Sequence, residues 1–226
     1  MLISGKNVFN EFKNDLDRIN MVYLESTFKD KNILDYIMFN KLKYKMLNKK
    51  EFNNMFKGNN QKIGLDVKDY EYSDFKDFDY EADFVLILDH ISDPHNFGAI
   101  IRTCEAAGVK NIIIPKDRSV KITQTVYKTS TGALNYVNIY RVTNLKNIID
   151  KLKEKDYFIY AAEAGGKLYK DISYSDKKVL IIGSEGFGIS KNILKEADEI
   201  ISIPLNGHVN SLNASVAAGV LIYGIK

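Results

Sequence analysis

The segment Val179–Gly219, VLIIGSEGFGISKNILKEADEIISIPLNGHVNSLNASVAAG, restricts the fold of this chain more than any other. Four apolar residues, Val179 to Ile182, run straight into a turn carrying Gly183, Gly186 and Gly188. A short polar helix follows, then a second strand from Glu199 to Ile203 stopped by Pro204. A polar loop, Asn206 to Asn213, leads into a helix of small residues. Strand, glycine turn, strand, polar loop and helix is how an α/β protein builds a ligand crevice at the carboxyl ends of its strands. Glycines at such a turn let backbone amides approach a ligand closely.

The preceding residues supply the rest of such a fold. Phe84–Leu88, Asn111–Ile114, Val137–Val142 and Tyr157–Ala161 read as strands, the first and second as the continuous apolar runs of buried parallel strands. Between them, helices are predicted over about Gly98–Ala107, Ile122–Ser130 and Leu145–Glu154. This alternation predicts a mostly parallel sheet with helices on both faces. Ahead of it lies a smaller α/β unit. Val8, Phe9, Phe12, Leu16 and Ile19 recur at helical spacing and predict a helix over Lys6–Ile19. In KLKYKML, lysines 41, 43 and 45 alternate with Leu42, Tyr44 and Met46, which predicts a strand with one lysine face and one apolar face. The expected organisation is therefore a domain over residues 1–70, a linker over 71–82, and a second domain over 83–226. The linker is acidic and aromatic, a composition suited to docking on a domain surface rather than to a free tether.

Charge is informative through its distribution. The net +3 over 226 residues is modest, yet Lys29–Lys62 holds nine lysines against Asp30, Asp35 and Glu51. Ile63–Ala82 holds two lysines against seven acids. A local basic face suits phosphates, and a merely solvated lysine surface accounts for the same count. One cysteine, Cys104, excludes an intramolecular disulfide and a multi-thiolate zinc site. With His90, His95 and His208 as the only histidines and no H-E-x-x-H, no metal is expected. No apolar run reaches membrane-span length and the N-terminus lacks signal-peptide features, so a cytoplasmic protein is expected.

Two polar clusters interrupt the apolar strands. In LDHISDPHNFGAIIRTCEAAG, Asn96 sits where a helix N-cap is needed. Arg102 falls within an apolar helical segment, where burial would demand a partner: Glu105 at i+3, or a phosphate or ribose. His90 and His95 read as satisfied loop histidines and Cys104 as a packed apolar residue. The second cluster joins GSEGFG to NSLNAS. It lacks the dinucleotide-binding glycine spacing and the Lys-Ser/Thr of a P-loop. Glu185 would repel a polyphosphate, so a neutral or cationic ligand fits better. Ser211 and Asn213 both precede the last helix, and capping explains one of them.

Together these segments resemble the SpoU (TrmH-type) branch of the SPOUT RNA 2′-O-ribose methyltransferases. The residues carrying the resemblance are DPHNFGAIIRT (93–103), IIGSEGFGIS (181–190) and ISIPLNGHVNSLNASVAAG (201–219). The N-terminal ISGKNVFNEF is similar to the ribosomal-protein-L30e-like substrate-binding domain of a subgroup acting on a guanosine of 23S rRNA. The resemblance implies an α/β knot, a deep trefoil in which the C-terminal segment threads a loop, against the general rule. It implies S-adenosyl-L-methionine as cofactor, held at Gly183, Ile203 and Leu212 with the flanking Ser184, Pro204 and Leu205. It also implies a homodimer whose active site is completed across the interface, an RNA partner (23S rRNA or a large-subunit precursor), and no metal or membrane. Asn96, Arg102, Glu185, Ser211 and Asn213 match the family's catalytic and RNA-contacting positions, with Arg102 the family's proposed base. A guanidine holds its proton far above neutral pH, so an Arg102 that orients and polarises the hydroxyl is the milder version. Cys104 departs from the small residue usual at its position, and the chain carries little after its final helix. A tRNA target, a non-catalytic RNA-binding protein of the same fold, and a dinucleotide-dependent oxidoreductase are the alternatives.

Overall fold

The computed structural model describes residues 1–226, which form two compact units, Met1–Glu71 and Tyr72–Lys226. The first unit is built on a four-stranded sheet. β1 (Leu2–Ser4) runs antiparallel to β4 (Ile63–Val67), β4 antiparallel to β2 (Ile19–Glu25), and β2 parallel to the edge strand β3 (Tyr44–Leu47). Helices α1 (Lys6–Glu11), α2 (Lys31–Phe39) and α3 (Lys49–Met55) connect them. Asp30 caps α2, while Asn48 and Glu51 form a reciprocal capping box on α3. Ile3, Phe9, Val22, Leu24, Phe52 and Leu65 fill the core.

Two expectations change here. The helix predicted over Lys6–Ile19 stops at Glu11 and gives way to 3₁₀ turns at Phe12–Asn14 and Leu16–Arg18. Asp15 leaves helical conformation between them, and Ile19 is taken into β2 opposite Val67. The apolar spacing survives at Val8, Phe9 and Phe12, all buried. The strand predicted over Lys41–Leu47 begins only at Tyr44, because Lys41 takes φ +54 in the preceding turn. Tyr44 and Met46 are each 46% exposed. On an edge strand, alternation does not guarantee a covered face, and only Leu47 is buried.

The second unit holds a six-stranded parallel sheet ordered β10-β8-β9-β5-β6-β7. In chain order the strands are β5 (Phe84–Asp89), β6 (Asn111–Pro115), β7 (Asn138–Val142), β8 (Phe158–Leu168), β9 (Lys178–Gly183) and β10 (Glu199–Ser202). The helices are α4 (Pro94–Ala106), α5 (Gln124–Ser130), α6 (Leu145–Lys153), α7 (Lys191–Leu194) and α8 (Ala214–Ile225). Every residue of central β5 is buried, as its unbroken apolar run requires. Val85, Ile87, Val179 and Ile181 pack with Ile148, Ile149 and Leu152 of α6 and Ile193 of α7. Alternate residues such as Leu86 and Leu180 point to the opposite face. There α8 touches β9 and packs against α4, which in turn packs against α5.

Residues 72–82, expected to link the domains, form a strap on the second unit. Ser73 bridges to Tyr140, and Phe75, Phe78 and Tyr80 cluster with the Tyr140 ring. The Tyr157 hydroxyl donates to the carbonyls of Ala82 (2.5 Å) and Tyr80 (3.2 Å). The strand predicted over Tyr157–Ala161 runs on to Leu168. β10 pairs with Tyr160 and Ala161, then skips to Lys167 and Leu168, so Ala162–Gly166 bows out of the ladder. No helix is long and apolar enough to cross a membrane.

Candidate functional site

β5 and β9 lie side by side, with Asp89 in register with Gly183 at their carboxyl ends. That pairing delivers the Asp89–Asn96 turn and the glycine turn to the same edge of the sheet. Asp89 is fully buried and fixes the two turns together. Its Oδ2 accepts from Ser190 N (2.7 Å) and Ser190 Oγ (2.6 Å), and its Oδ1 lies 2.5 Å from His90 Nδ1. The glycine turn closes on itself: Ser184 N–H donates to the Gly188 carbonyl (3.1 Å) and Gly188 N–H to the Ser184 carbonyl (2.9 Å). A Cβ on Gly183 would sit 2.1 Å from the Gly188 carbonyl carbon, and Gly188 takes φ +65. Neither position accepts a side chain without the turn moving.

Across this turn three side chains form a ring. Asn96 Nδ2 donates to Glu185 Oε1 (2.5 Å), Asn213 Nδ2 to the same oxygen (2.6 Å), and Asn213 Nδ2 also to Asn96 Oδ1 (3.0 Å). Ala214 N–H, in the first turn of α8, points at Glu185 Oε1 from 3.4 Å. Charge-assisted bonds of this kind hold a carboxylate without a cation. The caps explain how the amides come free for it. Asp93, not Asn96, caps α4: its Oδ1 accepts from His95 N (2.6 Å) and Asn96 N (3.3 Å), with Pro94 at the first helical position. Asn96 therefore lies inside the first turn and its side chain reaches across to the glycine turn. Asn213 caps α8 through Oδ1, accepting from Ser215 N (3.0 Å) and Val216 N (3.3 Å), while its Nδ2 serves the ring. Ser211 takes no part in capping.

Two cavities flank the ring. The smaller, about 230 Å³, is lined by Gly183, Ser184, Ile203, Leu205, Ser211 and Leu212. Pro204 does not line it. The bowed segment of β8 contributes Ala162, Glu163 and Ala164, and α8 contributes Ala217 and Leu221. These five were not foreseen. The bow carried a weak signal in its Glu-Ala-Gly-Gly run, and the α8 positions carried none beyond small size. The larger cavity, about 570 Å³, is lined by Asp89, His90, Asp93, Asn96, Arg118 and Phe187 among others. Ser184, Glu185, Gly188 and Ala214 line both cavities and form the wall between them.

Arg102 stands apart. α4 buries Phe97, Ile100, Ile101 and Cys104, which leaves Arg102 and Glu105 exposed on its other side with no ion pair between them. It lines neither cavity. The Glu105 pairing is thus not formed: the apolar segment has a solvent face, and Arg102 is on it, which leaves the phosphate or ribose alternative. Cys104 is wholly buried, and burial pushes its thiol far above the ordinary range, so it is an inert packing residue. His95 and His208 are exposed, and no group of His, Cys, Asp and Glu is arranged to hold a metal ion.

A parallel α/β sheet with a glycine turn, a ring of amides around one carboxylate and two cavities at the strand ends defines a ligand-binding α/β domain with a built polar centre. Residues 83–223 match the SpoU rRNA Methylase family, and the chain belongs to that family of RNA methyltransferases. Along its whole length the chain is 39% identical to a protein of Staphylococcus haemolyticus (strain JCSC1435) named "Putative TrmH family tRNA/rRNA methyltransferase", covering 94% of that relative. Among solved structures it superposes on the SpoU methyltransferase AviRb from Streptomyces viridochromogenes in complex with AdoMet. There the TM-score is 0.83 at 19% identity, covering 100% of this chain and 88% of that one. The A. aeolicus TrmH/SpoU tRNA modifying enzyme matches 64% of this chain and 74% of its own at 30% identity, with a TM-score of 0.58.

Proposed function

We propose that this protein transfers a methyl group from S-adenosyl-L-methionine to the ribose 2′-oxygen of a guanosine in 23S rRNA, in the cytoplasm. The observation that carries the reading is the Asn96–Glu185–Asn213 ring, set in the wall shared by two cavities. The smaller cavity suits the methyl donor. Its apolar Ile203, Leu205 and Leu212 fit an adenosine, its Cβ-free Gly183 admits a ligand against the backbone, and its Glu163 carboxylate complements a cationic group. The bound donor supplies an electrophilic methyl on a sulfonium. What the chain must add is position for the hydroxyl and a destination for its proton. Asn96 and Asn213 hold the Glu185 carboxylate at the junction, where it accepts from or orients the ribose hydroxyl, and Ser211 lines the smaller cavity.

Arg102 fits this chemistry as a group supplied by the second subunit of a homodimer. Val216 and Tyr223 are strongly exposed along α8, seven residues apart and each three residues from the Gly219–Val220 pair between them. Gly219 lies against Thr103, next to Arg102. An apolar stripe bordering an unpartnered arginine is a fitting interface. The first unit, residues 1–70, serves in this reading as an L30e-like RNA-binding domain. The approach of the 203–213 loop to the glycine turn, ahead of α8, is consistent with a threaded C-terminal segment.

The test is to map ribose methylations in cells with and without the gene. Loss of one 2′-O-methylguanosine from 23S rRNA is expected. A loss confined to tRNA would move the substrate to the alternative that the A. aeolicus match favours. No loss, with S-adenosylmethionine binding intact by calorimetry, would leave a non-catalytic RNA-binding protein.

A further inference from the structure

We propose that the larger cavity receives the nucleobase of the nucleotide being methylated, and that Phe187 is its stacking face. The inference rests on the methyltransferase reading above and adds where the base goes and what holds it.

Phe187 is 95% exposed, at the tip of the glycine turn between Gly186 and Gly188. The turn does not need the ring, because the paired Ser184 and Gly188 backbones already close it. An aromatic side chain displayed in this way, on the rim of a cavity, offers a π-face that any base can stack on. The cavity has the right neighbour as well. It shares Ser184, Glu185, Gly188 and Ala214 with the smaller cavity, so a ribose at the Asn96–Glu185 junction points its base into the larger one.

The polar groups of the larger cavity are spoken for in a way that leaves a positive charge unused. Asp93 caps α4, Asp89 is held by Ser190 and His90, and Glu185 by two asparagines. Arg118 lines the same cavity, exposed and held at φ +52, with no carboxylate engaging it. Its planar donor fork suits a phosphodiester oxygen. His90 turns Nδ1 toward Asp89, which leaves its Nε2 edge for a base edge. A stacking ring, one cation and one oriented imidazole describe recognition of a single unstacked nucleotide rather than a duplex.

The experiment uses the full chain and total RNA from cells lacking the gene, so that any target is present unmethylated. Zero-length ultraviolet crosslinking with peptide mass spectrometry should find a nucleotide adduct on the peptide containing Phe187. Phe187→Ala should lower the methyl-transfer rate at limiting RNA about 5- to 160-fold, the range for one lost base–aromatic stack, without changing S-adenosylmethionine affinity. Phe187→Tyr and Phe187→Trp should restore the rate, and Phe187→Leu should not. The proposal is overturned if Leu serves as well as Tyr, or if adducts form only outside the turn. It is equally overturned if Phe187→Ala dissociates the protein in sedimentation while RNA crosslinks persist, which would make the ring a protein contact. Should wild type methylate nothing in this RNA, the methyltransferase reading fails, and the adduct on Phe187 still decides the pocket.

Discussion

In the second unit, Glu185 collects donors from Asn96 and Asn213, and Asp89 collects two from Ser190. In the first unit, Lys41, Lys43 and Lys45 stand exposed around an edge strand. The same unit gathers a second set of lysines, Lys6, Lys29, Lys49 and Lys62, around an open cavity of about 780 Å³. Here two are engaged: Lys6 pairs with Asp30 at 2.7 Å, and Lys62 Nζ donates to Thr27 Oγ at 2.7 Å. The contrast separates two uses of polar residues. Groups fixed by each other at the end of a buried sheet have one geometry and can do chemistry. Groups on long solvated stems hold charge without a fixed position, which is enough for a phosphate backbone. Arg102 belongs structurally to the second kind, exposed on α4 and lining neither cavity at the ring.

That placement gives the largest expected effect. If Arg102 acts from the partner subunit as proposed, Arg102→Ala should lower methyl transfer by about 10²- to 10³-fold, the usual cost of removing one donor aimed at a developing oxyanion. Because Arg102 is exposed and bonded to nothing, thermal stability and S-adenosylmethionine affinity should stay at wild-type values. Glu185→Ala should also cost turnover, yet it leaves the buried Asn96 amide without its partner and should lower stability by about 1 kcal/mol. Turnover assays paired with thermal melts check both. If Arg102→Ala melts like Glu185→Ala, or keeps its turnover, the division between fixed and mobile polar groups is wrong at that residue.

Next is the turn itself. Gly183→Ala places a methyl 2.1 Å from the Gly188 carbonyl carbon, a contact only backbone movement can relieve. Overpacking of this sort costs about 1–3 kcal/mol, or a fall in Tm of roughly 3–10 °C for a domain of this size. S-adenosylmethionine binding should weaken with it. Gly186→Ala is the control, since a Cβ there meets nothing within 4 Å. Calorimetry of both variants settles whether close approach, rather than flexibility, is what the glycines provide.

How much of this was legible in the sequence follows the same division. The buried strands announced themselves as unbroken apolar runs, and Phe84–Leu88 and Asn111–Ile114 fall within β5 and β6. The glycine turn after β9 was legible as a close backbone approach, while the cofactor positions in it and in the 203–213 loop came only with the family resemblance. Hydrogen-bond partners could not be read. Asn96 reads as a cap in sequence because cap and first-turn positions differ by a few residues, and Asp93 with Pro94 is the better signal. The exposure of Arg102 could not be read because an apolar segment such as AIIRTCEAA does not show which of its faces meets solvent. The Ala162–Gly166 bow depends on a register skip between β8 and β10, which no local pattern encodes.

The mobile side of the comparison predicts a smaller effect. Replacing Lys41, Lys43 and Lys45 with Gln should weaken RNA binding and reduce the slope of log affinity against log salt by about 2, the value for three contacts to single strands. Affinity for S-adenosylmethionine should not move. The same measurement on Lys29→Gln with Lys49→Gln asks whether the cavity set, rather than the edge-strand set, carries the phosphates. An unchanged slope in the first variant and a reduced one in the second would transfer the RNA face to the cavity.

A last effect, confined to stability, lies where the first unit partly buries a carboxyl. Glu11 ends α1, and burial raises its carboxyl from 4.5 to about 7. Between those values the folded unit holds a proton that the unfolded chain has released, so stability falls as pH rises through that window and levels off above it. Glu11→Gln cannot release a proton and lacks this slope. Urea midpoints of wild type and variant should therefore lie closest near pH 4.5 and diverge in the variant's favour up to about pH 7. A separation that stays constant with pH would mean that Glu11 ionises as freely in the folded chain as in the unfolded one.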